Sequence, residues 1–273
     1  MRNLLSGLAV ALGLVLSIPS LGLSQNGQQP GTAQGGGGTT RQAPPSPTAN
    51  AAFDPHDFSG IWLFRGGTGF ANNTAPPMTP WAQAKFDAAK PGLDFAGGRA
   101  QPLGNDPIMI CDPVGYPRIM FFGAYPLEMI QLPGRIIQLF DFFYAHRTIY
   151  TDGRKLPDDP EPTWYGYSVG RWEGDTLVVN SSGFNGRAWF DNAGRPMSED
   201  AKLEERYKRV DHDTIGLSMT FTDPTAYTKP WASAPMSLKW SPKEVMREDV
   251  CAPSDEEKYK EEVRDPAGRK PGL

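Results

Sequence analysis

The sequence predicts a mainly β protein, an antiparallel meander that closes into a calycin-like barrel or half-barrel. Two observations carry this, and a third decides between closed and layered forms. β-prone runs separated by turn residues follow one another from Tyr125 to Cys251 with no extended helical periodicity between them. Two of these runs form candidate hairpins in succession within 164–223, the first with Gly174-Asp175 as a two-residue turn. About nine or ten strands are expected, and an open twisted sheet of that size tends to curl or close. A barrel is therefore favoured over a two-sheet sandwich.

The elements follow in order. Arg2, the apolar run Leu4 to Ile18, Pro19 and the small-x-small tripeptide Gly22-Leu23-Ser24 read as a signal peptide over 1–24. Residues 25–51 are Gly, Gln, Thr, Ser and Pro, a flexible linker with almost nothing to bury. A single β domain spans 52–252, and 253–273 is a charged tail in which Ser254 and Glu257 form a capping box for a short helix. Within the domain, 57–64 is a first strand entered through Gly60. An irregular region from Arg65 to Pro117 follows, broken by a helix with Thr79 as N-cap, Pro80 in its first turn, and Trp81, Ala84, Lys85 and Ala88 on one face. Strands are expected at 126–132, 135–144 and 147–151, then at both arms of each hairpin, and at 236–240 and 244–251. No crossover helices are visible, so parallel pairing is not expected.

Composition excludes some partners. The 27 Lys and Arg are interspersed among 31 Asp and Glu, for a net charge of −4, with no basic stripe. Nucleic acid is not an expected partner, and neither is stable membrane insertion after signal cleavage. The reading is an exported protein, periplasmic or secreted, of unspecified oligomeric state. The two cysteines, Cys111 and Cys251, then meet an oxidising compartment and are expected to form a disulfide. In a chain-entropy picture a bridge over so long a loop is worth about 5 kcal/mol.

The hairpins describe the barrel interior. The Gly174-Asp175 turn pairs Trp172 with Leu177, Gly170 with Val179 and Ser168 with Ser181, placing Trp164, Gly166, Ser168, Gly170 and Trp172 on one face. Small residues between indoles leave either a hollow or space filled by other side chains. In the second hairpin Ile215, Leu217, Met219 and Phe221 form an inward row, but the facing strand is charged in both phases. A two-residue turn brings Glu204 and Arg206 against that row; a three-residue turn brings Glu205, Tyr207 and Arg209. Either way an acid and a base face apolar neighbours, and they should pair.

Ligand-lining candidates are therefore Trp164, Trp172, Met219 and Phe221, with Arg206 and Glu204 as polar anchors and the segment from Arg65 to Pro117 as a partial lid. The ligand class is a small apolar or aromatic molecule. For an enzyme, a metal-independent hydrolase, lyase or isomerase, the candidates are Tyr207, Glu204, His146 and Asp191. A structural envelope module tethered by the linker is a third reading. The three histidines lack paired-ligand spacing, so neither metal nor cofactor is expected.

Gly170-Arg-Trp-Glu-Gly-Asp-Thr-Leu-Val-Val179, Asp223-Pro-Thr-Ala-Tyr-Thr-Lys-Pro-Trp231 and the ending at Glu248-Asp-Val-Cys251 resemble a large group of exported bacterial proteins of unassigned function. The resemblance runs from about Phe58 to Cys251 and implies export but no particular activity. Gly60-Ile61-Trp62 is similar to the Gly-x-Trp that opens lipocalin barrels, which implies a calycin-like barrel, although the insertion from Arg65 to Pro117 departs from that family.

Overall fold

In the computed structural model, residues 51–65, 70, 75–92, 104–253, 257–258 and 261–262 are described. The expected signal peptide and nearly all of the linker lie outside them, as does most of the expected terminal helix. Ten strands form one sheet: β1 (Gly60–Arg65), β2 (Leu127–Leu132), β3 (Arg135–Phe140), β4 (Ala145–Tyr150), β5 (Tyr167–Glu173), β6 (Thr176–Ser182), β7 (Lys202–Asp211), β8 (Thr214–Thr222), β9 (Trp231–Ala232) and β10 (Met236–Trp240). β10 pairs with both β1 and β8, so nine strands close into a barrel. β9 continues the outer edge of β8 beyond the end of β10, at Thr220 and Phe221. Closure removes the open edges that a sheet of this width would otherwise expose.

The barrel is mixed. β4 and β5 run parallel, which departs from the expected all-antiparallel meander. The crossover between them, 151–166, contains no helix, so the usual sign of a parallel connection is missing from the sequence. Their pairing is also short: only Ile149 with Ser168 and Tyr150 with Val169. Gly166, at φ +68°, turns the chain into β5 only at its last step. Trp164 therefore stands before β5, half-buried under the Arg187 guanidinium, and does not continue the inward face of that strand.

Three other expectations are corrected. The strand expected to reach Tyr144 stops at Phe140, because Phe143 and Tyr144 both take left-handed backbone in a 3-10 turn over Phe142–Tyr144. Residues 244–251 are not a strand. That segment is tied down by Arg247 on the buried Asp141, by the Phe143 N–H on Asp249, and by the Cys111–Cys251 disulfide. In α1 (Pro80–Ala88) the Thr79 side chain accepts from the Ala82 N–H as expected, but the buried contact is Ala82; Trp81 lies on the outer side.

The core fills the barrel. Trp62, Met129, Ile136, Ile149, Leu177, Val179, Leu217 and Leu238 all point inward. Phe70, Phe190, Phe221 and Trp231 close one end in a cluster with ring centroids 4.4–5.1 Å apart. The space above Gly170 is occupied: a Cβ there would meet Ile149, Leu177 and Thr151 at 3.0–3.2 Å. The small residues on β5 thus accommodate neighbouring side chains, and they do not leave a hollow.

Candidate functional site

Two polar regions meet at Arg147, one inside the barrel wall and one outside it. The inner region begins with register. β7 pairs Glu205 with Met219, Tyr207 with Leu217 and Arg209 with Ile215, with a bulge between Arg209 and Asp211 at the turn. The bulge is the extra residue that selects the second of the two phases, so Glu205 and Tyr207 face inward. Glu204 and Arg206, expected as inward anchors, point outward instead. They are half-exposed and join a surface set with Glu173.

Glu205 is fully buried and receives a fork from Arg147 on β4. Every N–H of that guanidinium has an acceptor. Nε donates to Ser168 Oγ at 2.9 Å, Nη1 to Gln138 Oε1 and Glu205 Oε1 at 3.2 Å each, and Nη2 to Ser181 Oγ at 2.8 Å and to Glu205 Oε2. The Tyr116 and Tyr207 hydroxyls both donate to Glu205 Oε1, the latter at 2.6 Å. Gln138 Nε2 donates to the Tyr207 hydroxyl at 3.3 Å. The Tyr116 ring lies under the guanidinium at 3.8 Å, a cation–π contact in a dry environment.

Tyr116 arrives from the irregular segment before β2. The segment from Arg65 to Pro117 was expected to be a partial lid; its described part from 104 onward is a plug, with Ile108, Val114 and Tyr116 buried in the core. Asp106 and Asn192 clamp it through the buried Arg118, at 2.5–2.9 Å. A void beside Phe58, Gln138 and Tyr207 is too small to admit water. Burial, then the adjacent Glu205 charge, raises the Tyr116 and Tyr207 hydroxyls well above their ordinary range. Burial acts to lower the Arg147 pKa, but Glu205 outweighs it and the net shift is upward. An acid–base group needs a pKa near working pH and access to a substrate. This cluster combines saturated hydrogen bonding, strongly neutral tyrosines and no space, so it is suited to fixing the barrel register.

The outer region is a slot of about 510 Å³ on the barrel wall where β4 and β5 diverge. One bank is β4 from Ala145 to Thr148, which β5 does not pair. The other bank is Thr163 and the run from Tyr165 to Ser168. Phe143, Tyr150, Tyr165 and Tyr167 supply rings, Arg147 and Ser168 the base, and Cys111, Val250 and Cys251 an end wall. Tyr150 and Tyr167 stack at 5.2 Å across the point where the strands join. Burial pushes the Tyr165 hydroxyl up to about 12, against a backbone hydrogen bond from Gly115 that lowers it. Phe143, which lines the slot, and Tyr144 after it are two consecutive left-handed residues. Such backbone persists where surrounding structure holds it, and it gathers at functional sites.

The remaining candidates fall elsewhere. Trp172 is half-buried against His56 and Phe58 at ring distances of 4.3 and 5.4 Å. Met219 and Phe221 are core. Asp191 is buried far along the chain with Arg195, at 2.5 Å, and caps its own turn through the Ala193 N–H. His146 is exposed on the slot bank and does not meet Tyr207 or Asp191 through any described hydrogen bond. Sequence reading passed over Arg147, Gln138, Ser181 and Tyr116. Arg147 was legible in part, since it stands two residues before the inward Ile149 and so shares its face. Tyr116 gave no such signal.

Among the described residues no group of His, Cys, Asp and Glu side chains is placed to hold a metal, and no helix is long and apolar enough to cross a membrane. Comparison with family models, with curated proteins and with solved structures finds no match to the chain.

Proposed function

We propose that this chain is an exported binding protein for a small molecule with an aromatic or apolar body, and that the ligand lies in the slot between β4 and β5. The observation that carries this is the coincidence, at one place, of an incomplete strand pairing, a slot of about 510 Å³ and four aromatic side chains. Ligand sites are typically concave, largely apolar and of roughly 300–1,000 Å³, with a few convergent polar groups. Here His146, Thr148 and Thr163 supply those groups. The Arg147–Glu205 cluster inside the barrel, by contrast, has its donors paired, and the space over Gly170 is covered. Export is supported by the disulfide, which persists in oxidising compartments, together with the leader-like pattern at 1–24.

A panel of small aromatics such as indole, p-cresol and 2-naphthol, titrated against the purified protein in a thermal-shift assay, tests this. A ligand at one hundred times its Kd stabilises by about 2.7 kcal/mol, and Tyr165→Ala should weaken that ligand at least fivefold. A panel with no binder, or a binder whose affinity survives the loss of Tyr165, contradicts the assignment. N-terminal sequencing of protein recovered from the exported fraction should begin near Gln25.

A further inference from the structure

The slot has a feature that an apolar ligand alone does not use. β4 is paired with β3 along its whole length, from Ala145 with Phe140 to Tyr150 with Arg135. Its other edge is paired with β5 only at Ile149 and Tyr150. Among the described residues, the edge of Ala145–Thr148 facing the slot thus has no strand partner. Backbone N–H and C=O groups on a strand edge are obligatory hydrogen-bonding groups, and such an edge is a template for another extended chain.

We propose that the ligand is a short peptide in extended conformation, carrying an aromatic or large aliphatic side chain, which adds to the free edge of β4 and places its C-terminal carboxylate in the slot. The proposal rests on the reading of the slot as the ligand site and names the class of molecule it takes. Three observations favour it over a purely apolar ligand. First, the backbone N–H and C=O of successive residues in a strand point to opposite edges, so a stretch of four residues directs the peptide groups of two of them into the slot, the span of a di- or tripeptide. Strand addition draws affinity from the main chain and selectivity from pockets for side chains, and Phe143 and Tyr165 form such a pocket here. Second, among the described residues no acidic side chain lines the slot, although Asp and Glu outnumber Lys and Arg by 31 to 27 in the chain, and His146 stands exposed on its bank. A negative peptide terminus meets no like charge there. Third, the lining includes exposed and half-buried apolar side chains: Val250 is 61% exposed, and the Phe143 ring is half-buried beside it in the wall. Exposed apolar residues gathered round a concave site mark a contact surface.

The test is calorimetric titration of the unmodified protein with N-acetyl tripeptides that carry Phe, Tyr, Trp or Leu at the centre. Three comparators accompany the best of them: the same peptide with its backbone nitrogens methylated, its C-terminal amide, and p-cresol. The expected result is binding of at least one tripeptide, a tenfold or greater loss on N-methylation, a smaller loss on amidation, and no binding to Thr148→Trp, which fills the slot from β4. Binding of p-cresol with no tripeptide binding, or N-methylation without effect, overturns the peptide assignment and leaves the aromatic slot standing. If neither peptides nor p-cresol bind, both readings fall.

Discussion

The two sides of Arg147 differ in one respect. On the inner side each N–H has an acceptor, Glu205 is neutralised, and the surrounding side chains exclude water. On the outer side a strand edge runs without a partner past a slot lined with rings. Both regions are polar, and both would attract attention in a search for function. Saturation separates them: a network whose donors and acceptors are all occupied has nothing to offer a ligand, whereas a strand edge without a strand partner does. The charged cluster is the more conspicuous of the two, and its saturated hydrogen bonding makes it part of the fold.

That contrast can be broken at several points. The largest effect is expected from Glu205→Ala, which strands Arg147 in the core without its counter-charge. Removing one partner of a buried pair costs about 3–5 kcal/mol, read as a lower urea midpoint, while slot binding by whatever protein remains folded should be retained. Equal loss of affinity and stability would show that the two regions act as one.

A second effect is alkaline. Tyr116, Tyr207 and Tyr227 are all held neutral by burial, with folded pKa values raised above the ordinary 10.0. Their stabilising contribution is complete below pH 10 and is lost as pH rises through the raised folded values. The unfolding free energy should therefore be flat up to about pH 10 and then fall by about 1.4 kcal/mol per pH unit for each such tyrosine. Tyr116→Phe should make that slope shallower. An unfolding free energy that stays flat well above pH 10 would contradict the closed interior.

The smallest effect belongs to the neighbouring phase of β7. Glu204→Gln and Arg206→Ala should leave the urea midpoint unchanged within error, because both side chains are solvated. A loss comparable to that of Glu205→Ala would place the register one residue out.

These residues also mark how far the sequence could be read. The register of Ser168 with Ser181 was legible because the Gly174-Asp175 turn leaves only one pairing. The next hairpin was not, since one residue in its turn flips every side chain of β7, and the bulge after Arg209 is a local geometry that several turns allow. The pairing of Cys111 with Cys251 followed from an even count in a chain whose leader-like start reads as exported, and the two Cα atoms are 5.4 Å apart. Tyr116 was out of reach: it meets Glu205 across 89 residues, and a plug looks like any loop in one dimension. The parallel β4–β5 pair was hidden for a related reason, since its connection carries no helix. The slot is the space left where that pair separates, and no single residue encodes it.

The most direct measurement of the division between a structural interior and a binding slot is amide chemical-shift mapping with the tightest ligand found. The account predicts shifts confined to Ala145–Thr148, Thr163–Ser168 and the segment around Cys251, with the inward residues of β7 and β8 unmoved. Shifts centred on Glu205, Tyr207, Leu217 and Met219, with the β4 edge silent, would place the ligand inside the barrel and contradict it.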